Sequence, residues 1–233
     1  MTVEEKELTA FLKVYLEELQ DSGVDALPFA ATACSSLAAE TGMTATTGGW
    51  ESLEEIRAEL GECDRCHLYR TRTNLVFGIG DPHARLIFVG EAPGRDEDVQ
   101  GEPFVGEAGK LLTRIIQAMG FERSEVYICN VLKCRPPGNR DPLPMEVEAC
   151  SAFMLRQIKA INPEVVVALG KFASQTLLQT KEIISKLRGK FHDYHGIPLM
   201  PTFHPSALLR DPSKKREVWE DMQQVMKLLG KEM

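Results

Sequence analysis

The order of apolar segments most strongly limits what this chain can fold into. Four short β-prone runs occur along it, separated by longer segments with apolar residues at helical spacing. The runs are Leu86–Val89, Val126–Cys129, Val165–Leu169 and Leu199–Phe203, and the helical segments are Glu107–Met119, Pro144–Ile161, Lys171–Gln179 and Ser213–Leu229. This alternation predicts an α/β fold, with three α/β/α layers around a central, mainly parallel four-stranded sheet.

The first fifty residues differ from the rest of the chain. Apolar residues recur at helical spacing from Val3 to Leu19, which predicts an amphipathic helix. Residues 30–49 are rich in Ala, Thr, Ser and Gly, which is typical of a flexible linker. We therefore expect an acidic N-terminal helical extension at residues 1–29, a linker at 30–49 and a compact domain at 50–233.

The formal net charge of −7 is unevenly distributed. Residues 1–62 carry 13 acidic and 3 basic side chains, whereas residues 63–233 carry 21 acidic and 24 basic ones. From Lys181 to Arg216 there are 8 lysines and arginines against 3 acidic residues, which favours a basic face for nucleic acid. A solvated surface with a chance excess of charge is the alternative.

The sequence shows no sign of a membrane segment. No apolar run approaches the roughly 20 residues of a membrane span. The N-terminus carries acidic residues where a secretory signal would be basic and then apolar. We therefore expect a cytoplasmic protein with no membrane partner.

Four of the six cysteines fall into two pairs. Cys63 and Cys66 form a C-x2-C pair, and Cys134 and Cys150 have 15 residues between them. Four thiolates can hold a tetrahedral zinc ion or an iron–sulfur cluster, and the irregular, positively charged loop around Cys134 favours the cluster. Four unlinked cysteines are the alternative. Two cysteines are not predicted to be ligands: Cys34 and Cys129.

Polar residues follow three of the predicted strands. The first strand leads into a glycine-bounded turn with four carboxylates at residues 90–98, and later strands lead into Asn130 and His204. The turn lacks the glycine and lysine pattern of phosphate-binding loops, and its negative charge would repel phosphate. Carboxylates in a rigid turn suit the holding of a water or the stabilisation of a cationic transition state; a surface acidic loop is the alternative. We expect the three loops to line one cleft, because ligands bind at the carboxyl ends of such strands.

Four motifs occur in a fixed order along these loops. They are GEAPGRDED from Gly90, GEPFVGEAGKLL from Gly101, NVLKCRPPGNRDP from Asn130 and HPSALL from His204. Together with the cysteine spacing, they resemble the uracil-DNA glycosylase superfamily, specifically family 4, its iron–sulfur type. The resemblance covers residues 63–229. It implies a uracil-DNA glycosylase-like fold, hydrolysis of the N-glycosidic bond of uracil in DNA, and a 4Fe–4S cluster, with zinc less favoured, on Cys63, Cys66, Cys134 and Cys150.

The resemblance also implies roles for residues that contact the base. Uracil has to be flipped out of the duplex, and it leaves as an anion from an oxocarbenium-like sugar. Phe104 matches the position whose ring stacks on uracil, and Asn130 matches the amide that pairs with O4 and N3–H. His204 matches the histidine that donates a hydrogen bond to O2 as negative charge builds.

The acidic motif supplies the residues expected around the attacking water. Glu91 is predicted to position or activate this water, assisted by the backbone of Ala92, which stands where family 1 enzymes have the Asp that does this work. Glu97 is predicted to line the pocket near C5 of uracil, where the methyl group of thymine would clash. Asp96 and Asp98 are predicted to be solvated.

The segment after His204 matches the loop that the superfamily inserts into the DNA minor groove. Basic side chains beyond it, and beside the cysteine loop, are expected to contact phosphates. The predicted DNA-binding residues are Ser206, Leu208, Leu209, Arg210, Lys214, Lys215, Arg216, Arg135 and Arg140. A place in the hydrophobic core is the alternative for the two leucines.

Several other functions remain open at this stage. A superfamily enzyme of different base specificity would share the motifs, although the family 5 type lacks a glutamate at the position of Glu91. The relative that stays covalently joined to DNA has a basic, histidine-containing insert near the final motif, which is missing here. A non-catalytic iron–sulfur DNA-binding accessory protein would keep the cysteines but need not keep Glu91, Asn130 and His204 together. A zinc-stabilised nucleotide-binding protein is a further alternative. For the predicted glycosylase we expect a monomer, with single- or double-stranded uracil-containing DNA as its partner.

Overall fold

The structure is a computed structural model that describes residues 51–231. The predicted N-terminal helix and the predicted linker at 30–49 lie outside the described residues. The division of the chain into an extension, a linker and a domain therefore remains a proposal. Within the described part, no helix is long and apolar enough to cross a membrane.

Strands and helices alternate along the described chain. The strands are β1 (Ile79–Gly80), β2 (Leu86–Gly90), β3 (Tyr127–Asn130), β4 (Val165–Leu169), β5 (His192–Tyr194) and β6 (Ile197–Thr202). The helices are α1 (Leu53–Leu60), α2 (Arg95–Gln100), α3 (Glu107–Ala118), α4 (Pro144–Ile161), α5 (Gly170–Leu178), α6 (Ile184–Leu187), α7 (Pro205–Arg210) and α8 (Lys215–Leu228).

The strands form one sheet in the order β1-β3-β2-β4-β6-β5. The four inner strands are parallel, and the register that pairs Gly90 with Asn130 and Leu169 with Thr202 brings their carboxyl ends to one edge. The predicted mainly parallel sheet is confirmed, but the predicted number of four strands is wrong. Two antiparallel edge strands, β1 and β5, complete the sheet. They are two and three residues long, too short to give an apolar run in the sequence.

Helices cover both faces of the sheet, as the three-layer prediction requires. Along β2, Leu86 and Phe88 join a core cluster with residues of α3 and α8, whereas Ile87 and Val89 join a cluster with residues of α4 and α5. Successive residues of a strand point to opposite faces, so an uninterrupted apolar run is what a doubly covered strand requires. The burial of this apolar surface is the main force that holds the layers together.

The acidic turn after β2 differs most from its predicted structure. Residues Arg95–Gln100 form helix α2, so the second half of the predicted turn at residues 90–98 is helical. Asp98, predicted to be solvated, is only 3% exposed and accepts the backbone N–H of Thr73 at 2.9 Å. A carboxylate buried in this way satisfies a backbone donor of a distant segment, and that segment gives no signal in the local sequence. Asp96 is exposed as predicted.

Candidate active site

A polar side chain stands at the end of each parallel strand, on the same edge of the sheet. Glu91 follows β2 directly, Asn130 is the last residue of β3, and Lys171 and His204 come two residues after β4 and β6. All four line one cleft with a volume of about 760 Å³. The structure thus brings the three predicted loops together and adds a fourth loop, after β4.

Asn130 carries an unsatisfied amide oxygen in the wall of this cleft. The residue is 2% exposed, and its Oδ1 is the one buried side-chain nitrogen or oxygen atom without a hydrogen-bond partner among residues 51–231. Leaving such an atom unpaired costs about 1–3 kcal/mol, which indicates that a bound molecule supplies the missing donor. Gly90 makes room for the amide, since a Cβ at this position would lie 2.3 Å from Oδ1.

Phe104 is held in a strained backbone conformation beside Asn130. Its φ is +54°, it is 6% exposed, and its ring centroid lies 5.5 Å from that of His204. A positive φ is unfavourable for an aromatic residue and persists only where the surroundings fix it. Arg123 donates to the carbonyl of Pro103 at 2.6 Å, and a Cβ on Gly109 would come within 1.9 Å of the Phe104 carbonyl oxygen. The ring therefore belongs both to the core and to the cleft wall.

Glu97 lines the cleft, but the backbone occupies its carboxylate. Oε2 accepts the N–H of Gly94 at 3.1 Å, and Oε1 accepts the N–H groups of Val105 and Gly106, each at 3.0 Å. These bonds join the loop after β2 to the loop that carries Phe104. The geometry supports a role in fixing the Phe104 loop, and the predicted place of Glu97 near the C5 edge of the base remains a prediction.

His204 is neutral in this environment. Burial lowers the pKa of its imidazole to about 4, and the nearby positive charge of Arg210 lowers it as well. Its Nδ1 accepts the backbone N–H of Ser206 at 3.1 Å. Since Nδ1 acts as an acceptor, the single proton of the neutral ring is on Nε2, which is then a hydrogen-bond donor.

The pKa of Glu91 is raised, whereas that of His204 is lowered. Burial raises the pKa of its carboxyl to about 7, with a further contribution from Asp141, while the positive charge of Lys171 opposes the shift. All three side chains line the cleft, together with Ala92. A carboxyl with a pKa near neutrality is suited to proton transfer, so Glu91 is a candidate general base.

The predicted polar DNA-binding residues are distributed over three places: the cleft, the cysteine loop and the first turn of α8. Those that line the cleft are Ser206, Arg210, Lys214 and Arg140. Arg140 also forms a two-pronged ion pair with the buried Glu146, at 2.6 and 2.9 Å. Arg135 donates to the side chain of Asn139 at 2.7 Å, beside the cysteine loop. Lys215 and Arg216 are exposed on the first turn of α8, where Lys215 lines a separate groove.

The two leucines of α7 have different environments. Leu208 is 2% exposed and belongs to the core cluster that includes α8, whereas Leu209 is 45% exposed. Adjacent residues of a helix point about 100° apart, so one leucine faces the core and the other faces solvent. Leu208 is therefore withdrawn from the predicted DNA-binding set, and Leu209 stays in it.

The four paired cysteines surround an enclosed cavity, separate from the cleft. Cys63 and Cys66 lie in the loop after α1, Cys134 lies four residues after β3, and Cys150 is on α4. None of the four forms a disulfide. Burial raises the pKa of three of them, that of Cys150 to about 11. Within residues 51–231, no group of three His, Cys, Asp or Glu side chains is arranged to hold a single metal ion.

Cationic residues also line the cysteine cavity. Arg72 donates to Sγ of Cys134 at 3.2 Å, the backbone N–H of Lys133 donates to Sγ of Cys150 at 3.2 Å, and Arg65 completes the set. Anionic sulfur ligands stabilised by nearby positive charge are the usual surroundings of iron–sulfur clusters and structural zinc. The donor set therefore fits a sulfur-ligated metal centre, whose binding would release the thiol protons.

Several residues of the site were missed by sequence reasoning. Lys171 and Asp141 line the cleft and act on Glu91, and Arg123 and Gly109 hold the Phe104 loop. Lys171 had a detectable signal in the sequence, because it is a polar residue two positions after the predicted strand Val165–Leu169. Asp141, Arg123 and Gly109 gave no separate signal, because their roles depend on contacts made only in the folded chain, with Glu91, Pro103 and Phe104.

Comparison with known proteins identifies the family. Residues 77–223 match the model of the uracil DNA glycosylase superfamily. The Type-4 uracil-DNA glycosylase of Archaeoglobus fulgidus is 46% identical over 189 residues, which is 78% of this chain and 95% of that protein. The corresponding enzyme of Thermotoga maritima is 46% identical over 78% of this chain and 97% of its own length, and that of Saccharolobus solfataricus is 41% identical over 77% and 88%. This chain therefore belongs to the uracil DNA glycosylase superfamily, within its type-4 family.

Proposed function

We propose that this protein is a uracil-DNA glycosylase that hydrolyses the N-glycosidic bond of uracil in DNA and leaves an abasic site for repair. The observation that carries the proposal is the unpartnered Oδ1 of Asn130, in one cleft with the Phe104 ring and the neutral His204. Three relatives that are 41–46% identical are type-4 uracil-DNA glycosylases, which supports it. The reaction class is base excision, which requires the target nucleotide to leave the base stack.

Base selection is assigned to Asn130 and Phe104. The Asn130 amide offers an acceptor to N3–H of uracil and a donor to its O4. Cytosine has an acceptor at N3 and a donor at C4, so it would face Asn130 with its polar groups reversed. Phe104 provides an aromatic face for stacking, fixed before substrate arrives by the loop contacts of Glu97 and Arg123.

Stabilisation of the leaving group is assigned to His204. As the glycosidic bond breaks, negative charge develops on the uracil ring and is shared with O2. The Nε2–H of His204 would donate to this oxygen, an interaction that strengthens as the charge grows. A neutral imidazole is suited to this donor role because the low pKa of His204 keeps the ring uncharged before the reaction.

Water activation is assigned to Glu91. In its ionised form, the carboxylate would accept a proton from the water that attacks C1′ of the sugar, and its charge would stabilise the oxocarbenium-like sugar. Lys171 favours the ionised form, and the backbone of Ala92 is proposed to help orient the water. The raised pKa of Glu91 predicts that this step weakens below neutral pH.

DNA binding is assigned to the rim of the cleft. Arg210, Lys214 and Arg140 would contact phosphates, with Ser206 and the exposed Leu209 closest to the gap left by the flipped base. Arg135, Lys215 and Arg216 are assigned to the flanking DNA backbone. The enzyme is proposed to act as a monomer in the cytoplasm.

We infer that Cys63, Cys66, Cys134 and Cys150 hold a 4Fe–4S cluster. When bound, the cluster would supply a covalent cross-link between the loop after α1, the loop after β3 and helix α4. Four thiols and three neighbouring cations around one cavity support this assignment. Iron and acid-labile sulfide should each approach four per chain in purified protein, whereas one zinc per chain without sulfide would contradict the cluster.

A single-turnover assay tests the proposed activity. Cluster-loaded protein in excess is mixed with oligonucleotides that carry one uracil, thymine or hypoxanthine, and abasic sites are revealed by alkaline cleavage. Cleavage at uracil alone supports the proposal. Cleavage at another base would indicate a different specificity, and no cleavage by loaded protein would favour the non-catalytic accessory role.

A further inference from the structure

A buried lysine connects the cysteine cavity with the amide assigned to base recognition. Lys133 is fully buried, and its Nζ donates to the backbone carbonyl of Asn130 at 2.8 Å and to Oε1 of Gln157 at 2.5 Å. Among the described residues, no carboxylate forms a salt bridge with it. A buried amine without an acidic partner is costly, so a specific function is expected of it.

The backbone of Lys133 is fixed to the cavity wall. Its N–H donates to Sγ of Cys150 at 3.2 Å, its carbonyl accepts the N–H of Val76 at 2.8 Å, and the next residue is Cys134. Its side chain then extends to Asn130, three residues earlier in the chain. The side chain of Lys133 therefore adds a second link between the cysteine loop and the Asn130 peptide, besides the backbone that joins them.

The Asn130 amide has little room to adjust. Its Oδ1 lies close to Gly90, whose position admits no Cβ, and the Phe104 ring lies on the same side. Its hydrogen bonds to a base depend on direction, so a small rotation of the Asn130 peptide would misplace both the donor and the acceptor. The bond from Lys133 is the one side-chain contact to the Asn130 carbonyl shown by the described residues.

We propose that Lys133 is a positioning residue that holds the Asn130 amide in its base-reading orientation from the wall of the cysteine cavity. This inference rests on the proposed function, because it takes Asn130 as the group that selects uracil. It adds that the cysteine cavity and the base-binding cleft are mechanically connected, and it names the connecting residue.

The test measures base selection without catalysis. Binding is measured with an oligonucleotide that contains 2′-fluoro-2′-deoxyuridine, which resists hydrolysis, and with a matched oligonucleotide that contains cytosine. The wild-type protein should prefer the uracil analogue at least tenfold. Lys133→Met should reduce this preference to less than threefold, while its affinity for the cytosine oligonucleotide stays within twofold of wild type.

Tyr127→Phe is the matched control for packing. It removes the hydrogen bond from Gln157 to the Tyr127 hydroxyl in the same buried network and leaves the bond from Lys133 to Asn130 in place. This variant should keep the uracil preference and the iron content of the wild type. Equal loss of preference in Tyr127→Phe and Lys133→Met, or full preference in Lys133→Met, would overturn the proposal.

A second variant covers the case in which Lys133→Met does not fold. Gln157→Leu keeps Lys133 but removes the acceptor that orients its Nζ, and it should lower the uracil preference at least threefold with iron retained. An unchanged preference would overturn the proposal. The proposed function itself would be contradicted by a different result, in which the wild-type protein shows neither a preference for uracil nor cleavage.

Discussion

The base-binding cleft and the cysteine cavity both use the segment that follows β3, yet they are built in opposite ways. The cleft is open and contains an unpaired amide oxygen, a strained Phe104 backbone and a histidine kept neutral by burial. The cavity is enclosed, and protein donors already contact the sulfurs of Cys134 and Cys150. The base-binding cleft is therefore suited to a ligand that binds and is released, whereas the cysteine cavity is suited to a permanently bound group.

The largest expected effect concerns the loss of one cysteine ligand from the metal centre proposed in the cysteine cavity. Cys134→Ser should lower iron to near zero per chain and reduce the melting temperature by roughly 10 °C, because metal binding contributes directly to folding free energy. Metal analysis and thermal unfolding measure both. Cys129→Ala, which changes a buried cysteine outside the cavity, should keep its iron. Retained iron and an unchanged melting temperature in Cys134→Ser would remove Cys134 from the ligand set.

The next largest effect is expected in the base-binding cleft, at Asn130. Asn130→Ala should lower the single-turnover rate on uracil about 10³-fold, as for the loss of a transition-state hydrogen bond combined with loss of base selection. The melting temperature should stay unchanged or rise, because the substitution removes an unsatisfied buried oxygen. If the rate and the melting temperature of Asn130→Ala fell together, the contrast between the two regions would not hold.

A smaller effect, about 10²-fold, is expected for Glu91→Gln, together with a change in pH dependence. In the wild type the rate should fall as the pH drops below about 7, where Glu91 takes up a proton. Lys171→Met should move this fall in rate to higher pH, because it removes the positive charge that favours the ionised form of Glu91. If the rate fell at the same pH in the wild type and in Lys171→Met, the assignment of Glu91 as the general base would be contradicted.

The folding stability should depend on pH in the opposite direction from the rate, again because of Glu91. The pKa of Glu91 in the folded protein lies above its ordinary value of 4.5, so folding favours the protonated form. The resulting stability is complete below pH 4.5 and is lost as the pH rises through about 7. Glu91→Gln should therefore have a higher melting temperature than the wild type at pH 8, and no such difference at pH 4.

The smallest expected effect concerns the rim of the cleft. Leu209→Ala should reduce the rate on double-stranded uracil DNA less than about tenfold and leave stability unchanged, since the side chain is 45% exposed. Leu208→Ala is the matched control: it should destabilise the fold by about 2–5 kcal/mol, because Leu208 is buried. Denaturant unfolding and single-turnover rates distinguish the two. The opposite pattern of effects would contradict the orientation of α7, in which Leu208 is buried and Leu209 is exposed.

The sequence alone predicted the inner part of the fold. Its apolar periodicity located the four parallel strands, and helix α4 has the predicted bounds Pro144–Ile161. A buried strand must be apolar along its whole length, so its composition identifies it. The edge strands β1 and β5 and the helix α2 left no such pattern, because they are short and partly exposed.

The sequence also identified the residue types of the site, because the loops after parallel strands meet at one edge of the sheet and carry its motifs. Only the tertiary structure decided what each residue does there. It buried Asp98 and Leu208, engaged Glu97 with three backbone N–H groups, and left the Asn130 oxygen unpaired. The physical reason is that solvation, hydrogen bonding and pKa depend on neighbours distant in the chain, such as Lys171 beside Glu91 and Lys133 beneath Asn130.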